Sequence, residues 1–379
     1  MEVSLYKTIV EYAVEGILIT GPDRRIQWVN PSFTHITGYD NSEVIGNSLS
    51  FLKSGFHDKA FYNQLWEALS SCGWWQGEIW NRRKSGDIFV ESATIRAISN
   101  PMGEVLHYGS IFTDVTERKL TENRYLKELQ LARQIQMSVI SPPLRHNGIK
   151  IDSLYKPSES LGGDMFVWYQ IDATHYNVLM MDVMGHGLAA SLISMSIRSL
   201  LQGLMTKLVD PVAVMHELNK HMRGLYYRED NREIPLYFFT AVYILIDTEE
   251  RTIQYVNAGH PPALLRDPEG NIVLMDKGCV PIGVLENPFI EAQTLTYDCP
   301  TRILIYSDGL LESTKKSLSG GIHNIGMLLT DNGHLTNEDL IKNIMSSCWI
   351  EDMNVDDISI ISLMLNEVED GKYEQERSL

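Results

Sequence analysis

The sequence predicts an α+β protein in which two domains are joined by a helix, and three observations carry that expectation. Residues 1–116 alternate short apolar runs with Gly, Pro, Asp and Asn turns. Residues 116–140 contain neither Gly nor Pro and are dense in Glu, Lys, Arg, Gln and Leu, until Pro142-Pro143 closes the run. Residues 144–366 return to strand-like runs mixed with longer helical patterns. A chain of 379 residues, 44% hydrophobic and 21% charged, is long enough to bury two cores.

In order, the first domain holds strand candidates at 16–20 and 26–29, a helical pattern over 31–38, and further β runs at 77–82, 88–98 and 105–114. Turns at 21–23, 85–87 and 100–103 separate them. In the linking helix, Tyr125, Leu129, Ala132, Gln136 and Val139 step by four and three, a narrow seam suited to pairing with a second helix or to packing on its own domain. The second domain carries strand candidates at 177–181, 238–247, 253–257, 272–275, 301–307 and 358–365, and helices at 188–206, 211–223 and 337–348. The polar stretch 367–379 reads as a frayed tail.

The formal net charge of −17 argues against nucleic acid or an anionic membrane surface as partner, since both would be repelled at long range. Cys72, Cys279, Cys299 and Cys348 show no paired spacing, which suits buried thiols in a reducing cytosol. The opening residues include Glu2, Glu11 and Glu15 and lack a basic start, so no signal peptide is expected. No run approaches 18 uninterrupted apolar residues, and a soluble cytoplasmic protein is the expectation.

Four segments of the second domain place an aspartate beside glycine or at a strand end. They are Gly162-Gly163-Asp164, Met181-Asp182-Val183-Met184-Gly185-His186-Gly187, Ser307-Asp308-Gly309 and Asp356-Asp357-Ile358. Strands hold such loops rigid, and glycine lets backbone approach a ligand closely. A set of carboxylate oxygens without cysteine or recurring histidine suits hard divalent cations, Mg²⁺ or Mn²⁺. Taken singly, each Asp-Gly is more often a plain turn.

In order along the chain, GGDMF, MDVMGHG, AGHPP, YSDGLLE and DDIS resemble the SpoIIE/RsbU-type branch of the PPM superfamily of protein phosphatases, and ELQLARQIQMSVISPP resembles the helix leading into those domains. The resemblance spans about residues 126–366. It implies an α-β-β-α sandwich with a binuclear Mn²⁺ or Mg²⁺ centre at one end. In it Asp182 would bridge both metals, the Val183 carbonyl would complete one of them, Asp308 and Asp356 would ligate the other, and Asp164 would hold metal-bound waters. Asp357 ranks behind Asp356. The implied reaction is direct attack of a metal-bridging water or hydroxide on phosphoserine or phosphothreonine, without a phosphoenzyme. Val167 stands where the family often carries a further acid, and no arginine is assignable to the substrate phosphate. His186 is either a general acid or a residue ordering its loop; His260 is expected to shape a loop.

Residues 12–119 resemble a PAS/PAC domain, through EGILITGPDRRIQWVNPSFTHITGY, GEIWNRRKSGDIFVES and HYGSIFTDVTERK. The run FLKSGFHDKAFYNQLWEALSSCGWWQGEIWNRR is similar to PAS domains that hold flavin, which makes Trp74, Trp75 and Trp80 pocket candidates against the core role aromatic residues more often fill. A flavin or another small molecule is the implied ligand. Residues 46–52 contain no cysteine, so blue-light adduct chemistry is not expected. His35, His57 and His107 are weak haem candidates.

The expected division is therefore a PAS sensor over 1–116, a helical linker over 117–143, a phosphatase domain over 144–366 and a tail over 367–379. The resemblance further implies a phosphorylated anti-sigma-factor antagonist as substrate, in a bacterial partner-switching pathway, and a homodimer formed through PAS and linker helix. Alternatives are an inactive PPM-fold interaction module and a PAS-linked nucleotide cyclase. Against the cyclase, Met165 replaces the acid that a GGDEF motif carries. A histidine kinase fails because 118–140 contains no histidine.

Overall fold

The structure, a computed structural model, describes residues 2–146, 148–226, 237–314, 316–348 and 356–366. It divides into two compact units, residues 1–128 and 129–379. The expected tail at 367–379 lies outside the described residues.

The first unit opens with α1 (Glu2–Glu11), β1 (Gly16–Thr20) and β2 (Ile26–Val29). Helix α2 (Pro31–Thr37) starts where the Asn30 side chain accepts from the Phe33 N–H and Pro31 presets the first turn. It stops at Gly38, whose φ of 78° only glycine adopts cheaply. Next come α3 (Asn41–Val44), α4 (Lys59–Ser71), β3 (Trp74–Arg82), β4 (Ile88–Ser99) and β5 (Val105–Asp114). The five strands form one antiparallel sheet in the order β2-β1-β5-β4-β3. Helix α4 is absent from the sequence reading; the Asp58 side chain caps it, and Leu65 and Leu69, one turn apart, seat it on Phe33, Ile79 and Phe89.

Of the tryptophans named as pocket candidates, Trp74 is exposed and Trp80 stacks on Phe56 with ring centroids 4.6 Å apart. A cavity of this unit has Trp66 and Tyr62 in its lining instead, and none of Trp74, Trp75 or Trp80 borders it. Helix α5 (Thr116–Ser138) follows β5 directly and matches the expected linking helix to within two residues.

The second unit adds β6 (Leu144–His146), β7 (Ile149–Lys156), β8 (Met165–Gln170), β9 (His175–Val183), α6 (Gly187–Lys207) and α7 (Pro211–Tyr226). Strands β10 (Phe239–Asp247), β11 (Thr252–Ala258), β12 (Ala263–Arg266), β13 (Ile272–Met275), β14 (Gly278–Cys279), β15 (Gln293–Thr296) and β16 (Thr301–Tyr306) come next. The last elements are α8 (Asp308–Ser313), α9 (Leu318–Asp331), α10 (Asn337–Cys348) and β17 (Ile358–Leu365).

Two sheets result, β14-β11-β10-β9-β8 with β15 beside β11, and β13-β12-β16-β17-β7-β6. Their central strands, such as β8 and β10, are largely apolar because both faces are covered. Along β8, β9 and β10, Phe166, Val178, Met180 and Val242 face the other sheet, while Val167, Leu179, Met181 and Ala241 pack under α6 and α7. In β16, Ile303 and Ile305 join the inter-sheet core and Leu304 and Tyr306 pack under α8–α10. The alternation builds four layers, α-β-β-α. Among the described residues α6 alone is long and apolar enough to cross a membrane, but Ala190, Ile193, Ile197, Leu201 and Met205 bury its face in the core.

Candidate functional site

Each of the four aspartates stands at an end of a central strand. Asp164 immediately precedes β8 and Asp182 is the penultimate residue of β9; since Met165 pairs with Met181, the two lie side by side at one end of their sheet. Asp308 opens α8 directly after β16, and Asp356 and Asp357 immediately precede β17. Ser307 ties those two strand ends together: its N–H donates to the Ser359 carbonyl at 3.0 Å, its hydroxyl donates to the Asp357 carbonyl at 2.9 Å, and that hydroxyl accepts from the Ser359 N–H at 2.9 Å.

Asp357 joins the ends of the two sheets. Its Oδ1 accepts from the Ser158 N–H at 2.7 Å and the Ser158 hydroxyl at 2.9 Å, and its Oδ2 accepts from the Gly163 N–H at 2.6 Å and the Asp164 N–H at 3.3 Å. A carboxylate so occupied holds the Gly162-Gly163-Asp164 loop in place, leaving Asp356 the freer oxygens. Asp356 is partly exposed and, among the described residues, accepts one bond, from the Asp357 N–H at 2.8 Å.

Glycine is required where these loops touch. A Cβ on Gly163 would stand 2.8 Å from the Val183 carbonyl oxygen, and one on Gly309 would collide with the backbone carbonyls of Asp356 and Asp357. The Val183 carbonyl thus faces the same loop as Asp164. Val167 points away into the core beneath α6 and α7.

The electrostatics are those of crowded acids. Asp164 is 1% exposed and its Oδ2 has no hydrogen-bond partner among the described residues; burial first, then Asp182 and Asp357, push its pKa well above the usual carboxylate range. Burial and then Asp308, Asp356, Asp357 and Glu312 push Asp182 up to about 8. Burial, Asp356 and Glu312 push Asp308 up to about 6. Such repulsion is relieved by protons or by cations, and hard divalent ions match an all-oxygen donor set. Among the described residues no three His, Cys, Asp or Glu side chains are yet grouped closely enough to hold one ion. Asp182, Asp308 and Asp356 would have to draw together round a shared cation.

Two acids near the site went unassigned in the sequence. Glu312 sits one helical turn after Asp308 on α8, a spacing visible in YSDGLLE. Glu159 accepts from His186 Nδ1 at 2.9 Å, and both side chains are more than half exposed. His186, between Gly185 (φ 86°) and Gly187 (φ 77°), caps the start of α6 as a loop residue. His260 is buried, pairs with the Thr240 hydroxyl at 2.9 Å and accepts the pKa-lowering effect of burial, down to about 3; it is a neutral support beneath the strand ends.

The linking helix reaches this loop. Gln136, 2% exposed, donates from Nε2 to the Gly162 carbonyl at 2.8 Å and accepts from the Gly162 N–H at 3.4 Å. Beyond the helix, the Val139 carbonyl accepts from Arg198 Nε of α6 at 2.9 Å.

The family model described as Stage II sporulation protein E (SpoIIE) matches residues 172–366, more than half of the chain. The chain belongs to the SpoIIE family. A PAS domain model matches residues 14–117. The phosphoserine phosphatase RsbP of Bacillus subtilis is 40% identical over 188 residues, covering 50% of this chain and 46% of that protein. The nitrogen fixation regulatory protein of Klebsiella oxytoca is 27% identical over 131 residues, covering 35% of this chain and 26% of that protein. The chain thus spans under half the length of these curated relatives. Among solved structures, the SiaA-PP2C domain of Pseudomonas aeruginosa superposes with a TM-score of 0.53 at 18% identity, over 65% of this chain and 99% of that one. The RsbU and RsbW domains of a Mycobacterium tuberculosis protein give 0.51 at 18% identity, over 61% and 64%. At that identity the likeness is one of fold, and it agrees with the α-β-β-α layering of this SpoIIE-family unit.

Proposed function

We propose that this SpoIIE-family chain is a metal-dependent phosphoserine/phosphothreonine protein phosphatase governed by its PAS domain. The observation that carries the reading is the crowding of Asp164, Asp182, Asp308 and Asp356 at converging strand ends, with the buried Asp164 Oδ2 unpartnered. In this reading Asp182, the Val183 carbonyl, Asp308 and Asp356 would hold divalent ions, Mn²⁺ or Mg²⁺. When bound, such ions supply Lewis acidity: they acidify a water and offset charge on the phosphoryl oxygens. Asp164 offers its unpartnered Oδ2 as a further acceptor beside these residues, and Asp357 holds Asp164 in place through the Gly163 and Asp164 N–H groups. Ser307 keeps Asp308 level with Asp356 by bridging their strands.

The same proposal takes 1–116 as sensor, 117–143 as linker and 144–366 as phosphatase domain, cytoplasmic and homodimeric. Exposed Leu120, Leu131 and Ile135 on α5 favour pairing through the linker. A signal altering that helix has two routes to the site, Gln136 to Gly162 and Val139 to Arg198 of α6. The relative named phosphoserine phosphatase supports a phosphoserine protein as substrate, and a phosphorylated anti-sigma-factor antagonist is the one proposed. The test compares Mn²⁺-dependent phosphate release from that phosphoprotein and from a phosphotyrosine peptide. Release from the first alone is expected; equal rates on both would refute the assignment of substrate.

A further inference from the structure

The unit of residues 1–128 encloses a cavity of about 250 Å³ between its sheet and α4. Its walls are apolar, from Leu18, Leu52, Leu65 and Ile79. Its polar groups are arranged asymmetrically. Inside lie Glu91, Asn81, Thr20 and Ser110, none more than 7% exposed. The Glu91 carboxyl has Asn81 as its hydrogen-bonding side chain, and burial raises its pKa to about 8. Among the described residues no lysine, arginine or histidine forms an ion pair with it.

The cations of the lining lie at the mouth. Arg24 sets its guanidinium 3.8 Å from the Trp66 ring centroid, and Lys53 sets its ammonium 4.0 Å from that of Tyr62. Both side chains are exposed, and neither is ion-paired among the described residues. Arg24 is also held at φ 64°, a costly conformation for a residue with a Cβ. The cavity therefore has an acid at its floor, aromatic rings midway and unpaired cations at its rim.

We propose that this cavity binds a small zwitterion whose protonated amine seats on Glu91 and Asn81 and whose carboxylate meets Arg24 and Lys53 at the mouth. An isolated carboxyl in an apolar cavity is costly to ionise, and an ammonium beside it recovers that cost as a charge-assisted bond. The volume lies below the ~300–1,000 Å³ usual for drug-sized ligands, which favours a metabolite over a large cofactor. No histidine or cysteine is among the lining residues, so the cavity offers neither a haem ligand nor a thiol.

The test titrates the full chain with 4-(aminomethyl)benzoate, benzylamine and benzoate, read by calorimetry and thermal unfolding; no turnover is involved, so it stands or falls apart from the phosphatase reading. The expected result is that the zwitterion binds about tenfold tighter than either half-molecule. Glu91→Gln should bring its affinity down to that of benzoate, and the double change Arg24→Gln, Lys53→Gln to that of benzylamine. If Glu91→Gln does not fold, the rim variant, altered at exposed positions, carries the comparison. Equal binding of benzoate and the zwitterion, binding of none of the three probes, or a flavin retained in the purified protein would each overturn the proposal.

Discussion

Asp356 and Asp357 are neighbours in sequence and do different work. Just before a strand, successive residues turn to opposite sides, so one carboxylate faces the acidic basin while the other takes four hydrogen bonds from residues 158–164. Asp357→Asn presents an amide to at least one of those donors and should destabilise the protein by about 1–3 kcal/mol in denaturant unfolding without metal. Asp356→Asn should leave that unfolding unchanged or slightly strengthened, while cutting Mn²⁺-dependent activity by on the order of a hundredfold. The DDIS motif shows the pair but not this division, because the donors come from a loop nearly 200 residues away. Glu91 makes a second case. Its folded pKa, about 8, is raised above the unfolded value near 4.5, so the stability of its neutral form is complete below about pH 4.5 and is lost as pH rises through 8. The Tm of the first unit should fall across that window, and Glu91→Gln should flatten the profile.

Among elements, the central strands were legible because two covered faces demand largely apolar stretches, as in β16 and β17. Helix α5 was legible from its composition, and of the two uses its seam allowed, Gln136 serves packing on its own domain. It is the most buried residue of the helix because its amide satisfies both the backbone N–H and the carbonyl of Gly162. Such a contact depends on tertiary approach and leaves no mark in heptad spacing. Gln136→Ala would orphan the Gly162 carbonyl and should cost about 1–3 kcal/mol in denaturant unfolding of the second unit. An unchanged midpoint would show that the helix end does not brace the loop. Helix α4 escaped the reading because its aromatic-rich sequence, KAFYNQLWEALSS, carries only Leu65 and Leu69 as fully buried positions.

At the scale of the whole molecule, a chain of net charge −17 concentrates further carboxylates where two sheets meet end to end. Hydrogen bonding spends Asp357 on holding the loop, and glycines at 163 and 309 allow the backbones to close. The remaining acids, Asp164, Asp182 and Asp308, carry raised pKa values as the consequence. A divalent cation is the economical relief for that repulsion. The most direct measurement is therefore phosphate release from a phosphoserine protein as Mn²⁺ is titrated into metal-stripped protein, for wild type and for Asp182→Asn and Asp308→Asn. The account predicts activity that rises with Mn²⁺ in the wild type and falls by at least about a hundredfold in both variants. Full activity in the stripped protein, or in either variant, would contradict it.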